Sequence, residues 1–189
     1  MAAEHVLVLG GARSGKTTFA ERLAMRVGQK PLYLATAETL DREMRERVET
    51  HRRARAGRFA TIEEPINLTD ALIESSKEFD VILVDCLTLW ITNLLGRGAD
   101  VAGQVQELVV ALQQIKRARV ILVSNEVGLG IVPDNALART FRDLAGAAHQ
   151  RLAEICGDVY FVAAGLPMTL KGSPPPALSE TTGDGVHQA

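Results

Sequence analysis

The chain has 189 residues, 47% of them apolar and 23% charged, with a formal net charge of −2. This balance suits one soluble domain with a well-buried core, and it argues against the basic field of a nucleic-acid binder. Two cysteines, Cys86 and Cys156, without C-x-x-C spacing, argue against a disulfide framework or zinc site and suit a reducing cytoplasm.

Taken in chain order, the first apolar run, Val6-Leu7-Val8-Leu9, reads as a buried strand. With a strand expected that early, no secretory leader is expected, and no apolar run nears the roughly 20 residues that cross a bilayer. Gly10 to Thr17 then read G-G-A-R-S-G-K-T. A helix over 16–27 follows, with Phe19, Ala20, Leu23, Ala24 and Val27 on one face and Gly28 as its stop. Strand, glycine loop and helix make a P-loop. Its amides and helix N-terminus wrap a phosphate chain, Lys16 reaches the outer phosphates, and the Thr17 hydroxyl is placed for Mg²⁺. Gly10 and Gly15 are required because a β-carbon would obstruct the turn or the anion.

Further strands are predicted at Pro31–Ala35, Phe59–Ile62, Val81–Val84, Val120–Val123 and Val159–Ala163. Helices are predicted at 39–52, 67–77, 87–95, 101–116 and 135–155. The last carries Leu137, Phe141, Leu144, Ala148, Leu152 and Ile155 on one stripe, with Pro133-Asp134 as its start signal. Apolar strands alternating with helices predict an α/β fold with a mostly parallel sheet covered on both faces. Beyond Lys171 the composition shifts to Gly, Ser and Pro, so residues 1–171 are expected to form the domain and 172–189 a disordered tail.

Asp85 ends the strand Val81–Val84, where a P-loop fold places an acid beside the phosphates to hold Mg²⁺. Accepting the proton of an attacking hydroxyl is the alternative role. No guanine-reading N-K-x-D follows; the nearest segment is Ser124-Asn125-Glu126-Val127. A GTP-switch protein is therefore not indicated.

The segment Asp41 to Arg58 holds seven of the chain's 21 Lys and Arg residues. Its first half pairs acids with arginines at i,i+4, as in Asp41–Arg45 and Glu49–Arg53, and reads as a solvated helix face. Its second half, Arg52, Arg53, Arg55 and Arg58, has no acid and could clamp phosphates. His51 falls on the same helical stripe as Leu40, Met44 and Val48, which fits either a buried structural histidine or a nucleophile. In the second case a neutral imidazole would attack an α-phosphate while the guanidinium groups neutralise the developing charge.

Long stretches of the chain resemble the bifunctional adenosylcobinamide kinase / adenosylcobinamide-phosphate guanylyltransferases. The matching residues are Gly10 to Lys16, Tyr33 to Ala37, Asp41…Met44…Arg47…His51, Val84 to Leu94, and Ser124 to Pro133, running on through Arg139, Phe141-Arg142-Asp143 and Gly146. The resemblance implies a P-loop NTPase (RecA-like) three-layer sandwich and a homotrimer. In that trimer the apolar helix after Asp85 (Leu87, Leu89, Trp90, Leu94) would cover a subunit interface. It also implies a cytoplasmic enzyme that phosphorylates adenosylcobinamide with ATP or GTP, then transfers GMP from GTP through the histidine matching His51. Lys16 and Asp85 would share the catalysis, with Thr17 and Asp85 on Mg²⁺. By positional carry-over the nucleotide contacts are Gly10, Gly11, Ala12, Arg13, Ser14, Gly15, Lys16, Thr17, Thr36, Ala37, Glu38, Arg52, Arg53, Ala54, Arg55, Glu63 and Asp85. One departure stands in the last helix, where Asn-Gln is expected and the chain has His149-Gln150.

Overall fold

The structure, a computed structural model, describes residues 4–38 and 57–176. The expected helix at 39–52 therefore lies outside the described residues. So do His51, Arg52, Arg53, Ala54 and Arg55.

Among the described residues seven strands form one sheet in the order β3-β2-β4-β5-β1-β6-β7. The strands are β1 (Val6–Gly10), β2 (Pro31–Ala35), β3 (Ala60–Glu63), β4 (Val81–Asp85), β5 (Arg119–Asn125), β6 (Asp158–Ala163) and β7 (Leu166–Lys171). All neighbours pair in parallel except β6 with β7. Among the described residues the helices are α1 (Lys16–Val27), α2 (Leu68–Ser75), α3 (Leu87–Gly96), α4 (Val101–Gln114) and α5 (Ala136–Ile155).

The strands carry apolar side chains on both sides, and strict alternation divides them between two cores. Val6, Val8, Val81, Leu83, Ile121 and Val123 face α1, meeting Phe19, Ala20, Leu23 and Ala24. Leu7, Leu32, Leu34, Ile82, Val84, Val120 and Leu122 face the other way, onto residues of α2, α3, α4 and α5. Two-sided burial is why these strands read as continuous apolar runs, and it gives the three-layer sandwich. Among the described residues no helix is long and apolar enough to cross a membrane.

Three local expectations are corrected, and one strand is added. Leu137, placed on the buried stripe of α5, is 65% exposed, because the first turn of α5 projects beyond the core that holds Ala145, Ala148 and Leu152. That helix is capped by Asn135, whose side chain accepts from the Leu137 and Ala138 amides, and not by Pro133-Asp134. The helix after Asp85 has little apolar surface to give a neighbouring subunit. Leu87, Trp90 and Leu94 are fully covered by their own protomer, Leu89 packs on the α1-side core, and the Trp90 indole donates to the Ile66 carbonyl at 2.8 Å. Finally, β7 had no counterpart in the sequence reading. It follows β6 through Ala164-Gly165, both at positive φ (50° and 79°), the signature of a two-residue I′ hairpin turn. The chain stays tied to the sheet just past β7, since the Ser173 amide donates to Asp158 and the Tyr160 hydroxyl to the Ser173 carbonyl.

His5, just before β1, is 4% exposed. Its Nδ1 accepts from the Val120 amide at 3.1 Å, so Nε2 carries the proton and donates to the Leu112 carbonyl at 2.8 Å. Burial lowers its pKa from 6.5, the Leu112 bond partly opposing. His149 is lowered in the same way, chiefly by burial. A histidine that is harder to protonate when folded contributes its stability above the unfolded pKa and loses it as the pH falls through the folded value. The urea midpoint is therefore expected to fall as the pH drops below about 6.5. In His5→Gln, which keeps a donor and an acceptor, that fall should be smaller.

Candidate active site

The loop between β1 and α1 is shaped by contacts that only glycine permits. A β-carbon on Gly10 would sit 2.5 Å from the Val162 carbonyl of β6 and 2.6 Å from Ser14 Oγ. Gly15 lies at φ +91°, and its β-carbon would come within 3.0 Å of Gly165. The obstacle at both positions is the protein itself. The β6–β7 turn braces the loop further, its Gly165 amide donating to the Ser14 carbonyl at 2.8 Å.

Lys16 opens α1 and is 7% exposed, with Nζ donating to the Gly11 carbonyl at 3.0 Å. Burial lowers its pKa, while the Asp85 carboxylate pulls the other way. Thr17 donates to Asp85 Oδ2 at 3.2 Å, and the Tyr33 hydroxyl donates to the same oxygen at 2.6 Å. The glycine loop and the acid-ended strand are thus joined directly, although 68 residues separate Thr17 from Asp85. A hydroxyl and a carboxylate oxygen at that separation are the hard donor set that suits Mg²⁺. Ser14 Oγ, in the same loop, is buried without a hydrogen-bond partner, a donor left over for a phosphate oxygen.

Of the other predicted residues, Thr36, Ala37, Glu38 and Glu63 are described, and they follow or end β2 and β3 at the same carboxyl-terminal edge of the sheet. Thr36, after β2, is fully buried. Its hydroxyl donates to the Cys86 carbonyl and accepts from the Cys86 amide, while its own carbonyl accepts from Asn93. That knot fastens β2 to the start of α3. Ala37 follows, and Glu38 then pairs with Arg97 at 2.6 Å. Glu63 ends the edge strand β3, while its neighbour Glu64 accepts from the Ile66 and Asn67 amides and so shapes the turn into α2. Cys86 and Cys156 are both buried, and burial raises both thiols, Cys156 to about 12, which keeps them unreactive.

Tyr33, Asn93 and Gly165 are supports that the sequence reading assigned no role. Tyr33 and Asn93 stood inside stretches singled out for resemblance, and a glycine between two β-type runs was the available signal for the hairpin.

A phosphate loop after β1, with an acid two strands across on β4 and β5 between them, defines a P-loop nucleotide-binding enzyme with a RecA-like sheet. The solved structure of PH0250 from Pyrococcus horikoshii OT3 shares this fold, with a TM-score of 0.51 at 13% identity over 90% of this chain and 87% of that one. The sequence profile of the cobinamide kinase / cobinamide phosphate guanyltransferase family matches residues 6–170. The bifunctional adenosylcobalamin biosynthesis protein CobP of Pseudomonas aeruginosa is 47% identical over 170 residues, which is 89% of this chain and 98% of that protein. CobU of Escherichia coli, of the same description, is 39% identical over 181 residues, or 88% of this chain and 99% of that one. The chain belongs to the cobinamide kinase / cobinamide phosphate guanyltransferase family, and it is a bifunctional enzyme of cobalamin biosynthesis.

Proposed function

We propose that the chain first phosphorylates the terminal hydroxyl of adenosylcobinamide's aminopropanol arm with ATP or GTP. It then transfers GMP from GTP, through a covalent intermediate on His51, to the phosphate it has just installed, giving adenosyl-GDP-cobinamide. The observation that carries this reading is the Thr17–Asp85 contact at 3.2 Å, which unites loop and acid into one place for a metal-bound triphosphate. The loop amides and Lys16 hold the phosphates, while Thr17 and Asp85 would hold Mg²⁺. That ion, when bound, offsets phosphate charge.

In the kinase half a bond forms between the substrate oxygen and the γ-phosphorus, and the γ-phosphorus–oxygen bond to the nucleoside diphosphate breaks. In the guanylyl half a lone pair of the His51 imidazole attacks the α-phosphorus of GTP and pyrophosphate leaves. A phosphate oxygen of the substrate then displaces the imidazole. Arg52, Arg53 and Arg55 supply positive charge for the second half, and Thr36, Ala37, Glu38 and Glu63 belong to the nucleotide site. The working form is a cytoplasmic homotrimer, with residues 1–171 as its domain and 172–189 as a tail outside the chemistry.

Product analysis tests the scheme. Adenosylcobinamide with either nucleotide and Mg²⁺ should yield adenosylcobinamide phosphate, and the guanylylated product should appear with GTP alone as GMP donor. Phosphorylation without any guanylylated product would reduce the chain to a kinase and overturn the second half.

A further inference from the structure

We propose that Glu126 is the general base of the kinase half-reaction, accepting the proton of the substrate hydroxyl, and that His149 is the residue that positions it. This rests on the two-step reading above and adds the group that it lacks.

Glu126 stands beside the phosphate loop. β5 is the neighbour of β1, with Asn125 opposite Gly10, and the Glu126 amide donates to the Gly10 carbonyl at 3.0 Å. The residue is thereby joined to the first residue of the phosphate loop. Along the strand order, at about 4.8 Å per strand, Glu126 stands about 5 Å from β1, Asp85 about 10 Å, Glu38 about 14 Å and Glu63 about 19 Å.

Glu126 is also available. Asp85 already accepts from Thr17 and Tyr33 and is the carboxylate assigned to the metal. The Glu38 carboxylate is neutralised by Arg97, and Glu64 is occupied by two amides of its own turn. The Glu126 side chain is 22% exposed, so it is anchored at one side and reachable from the other.

It is supported from beneath as well. His149 is buried, its Nε2 lies 2.7 Å from Ser124 Oγ, and its Nδ1 lies 3.7 Å from Glu126 Oε2. That Nδ1 is buried with no hydrogen-bond partner, and the Glu126 carboxylate is the charged group facing it. The other carboxylate oxygen accepts from the Gly128 amide. Because burial favours the neutral imidazole, His149 can steer the carboxylate without cancelling its charge, which a base must retain. The proton leaves the substrate oxygen for Glu126 as that oxygen bonds to the γ-phosphorus, and the nucleoside diphosphate departs with the bonding pair. Guanylyl transfer has no hydroxyl to deprotonate. The imidazole attacks with a lone pair, and the substrate phosphate, with a second pKa of about 6, is already ionised at neutral pH.

Glu126→Gln therefore separates the two activities. Kinase kcat should fall by about 10²- to 10⁴-fold with the nucleotide KM unchanged, while α-labelled GTP still marks the protein and supplied adenosylcobinamide phosphate is still guanylylated. Glu126→Asp should restore part of the kinase rate. His149→Leu should lower kinase kcat by up to about 10²-fold with no change in KM, the scale of a misplaced group. An unchanged kinase rate in Glu126→Gln overturns the proposal, as does equal loss of both activities, which would mark Glu126 as structural. A wild-type chain unable to phosphorylate adenosylcobinamide would instead remove the two-step reading, and the proposal with it.

Discussion

Lys16→Ala is expected to cripple both phosphorylation of adenosylcobinamide and guanylylation from GTP. The ammonium group sits almost wholly out of solvent at the first turn of α1, with the Gly11 carbonyl as its hydrogen-bond partner and the Asp85 charge nearby. In such a water-poor position one fixed donor to developing phosphate charge is worth about 10²- to 10³-fold in rate. The same cradle serves both half-reactions in the scheme proposed, so both rates should drop by that order. Thermal midpoint should move little, because the Gly11 carbonyl that Nζ leaves still accepts from the Ser14 amide. Steady-state kinase assays and single-turnover labelling with α-labelled GTP, run on one preparation, check this. If guanylyl transfer survived at the wild-type rate while the kinase failed, the two reactions would occupy different sites.

The second large effect is expected at His51. Replacing it with Ala should eliminate the acid-labile, base-stable label that the proposed scheme has GTP leave on the protein, since a phosphoramidate combines those stabilities. The kinase half should continue, because it needs a hydroxyl nucleophile and not an imidazole. Loss of a covalent nucleophile cannot be compensated by neighbouring arginines, which remain charged and are not nucleophilic at neutral pH. Label persisting in His51→Ala would place the guanylyl group on another residue. His5 and His149 are poor substitutes, since both are buried and hydrogen-bonded within the described core.

Much of the architecture was legible because these strands are buried on both faces. Val6–Leu9, Pro31–Ala35 and Val81–Val84 each stand where an unbroken apolar run was read, and each agrees with the observed strand to within a residue. β7 escaped notice for the opposite reason. Leu166, Met168 and Leu170 are 51–70% exposed on an edge, and Pro167 interrupts the run, so neither burial nor β-propensity announced a strand. The helix after Asp85 misled in another way. Its apolar residues looked surplus until the sheet and α5 were there to cover them, since a sequence states how much apolar surface a helix carries but not what it packs against.

The P-loop and the acid strand were written locally, because a phosphate cradle depends on consecutive amides and on glycines at fixed offsets. Their convergence was not local: the hydrogen bond from Thr17 to Asp85, and Tyr33 holding the same oxygen, exist only because β1 and β4 are set one strand apart by β5. The same holds in part for Gly10 and Gly15, whose need for a bare Cα comes partly from β6 and its turn, more than 145 residues along the chain. Glu126 is the clearest instance. Ser124-Asn125-Glu126 lies in a stretch matched by resemblance, but nothing local gives its carboxylate a role; parallel pairing beside β1 and the arrival of His149 from α5 bring it to the phosphate end of the sheet. Chain-local chemistry was determined by residue order; which groups meet was decided by strand order, because hydrogen-bonded pairing puts distant residues a few ångströms apart.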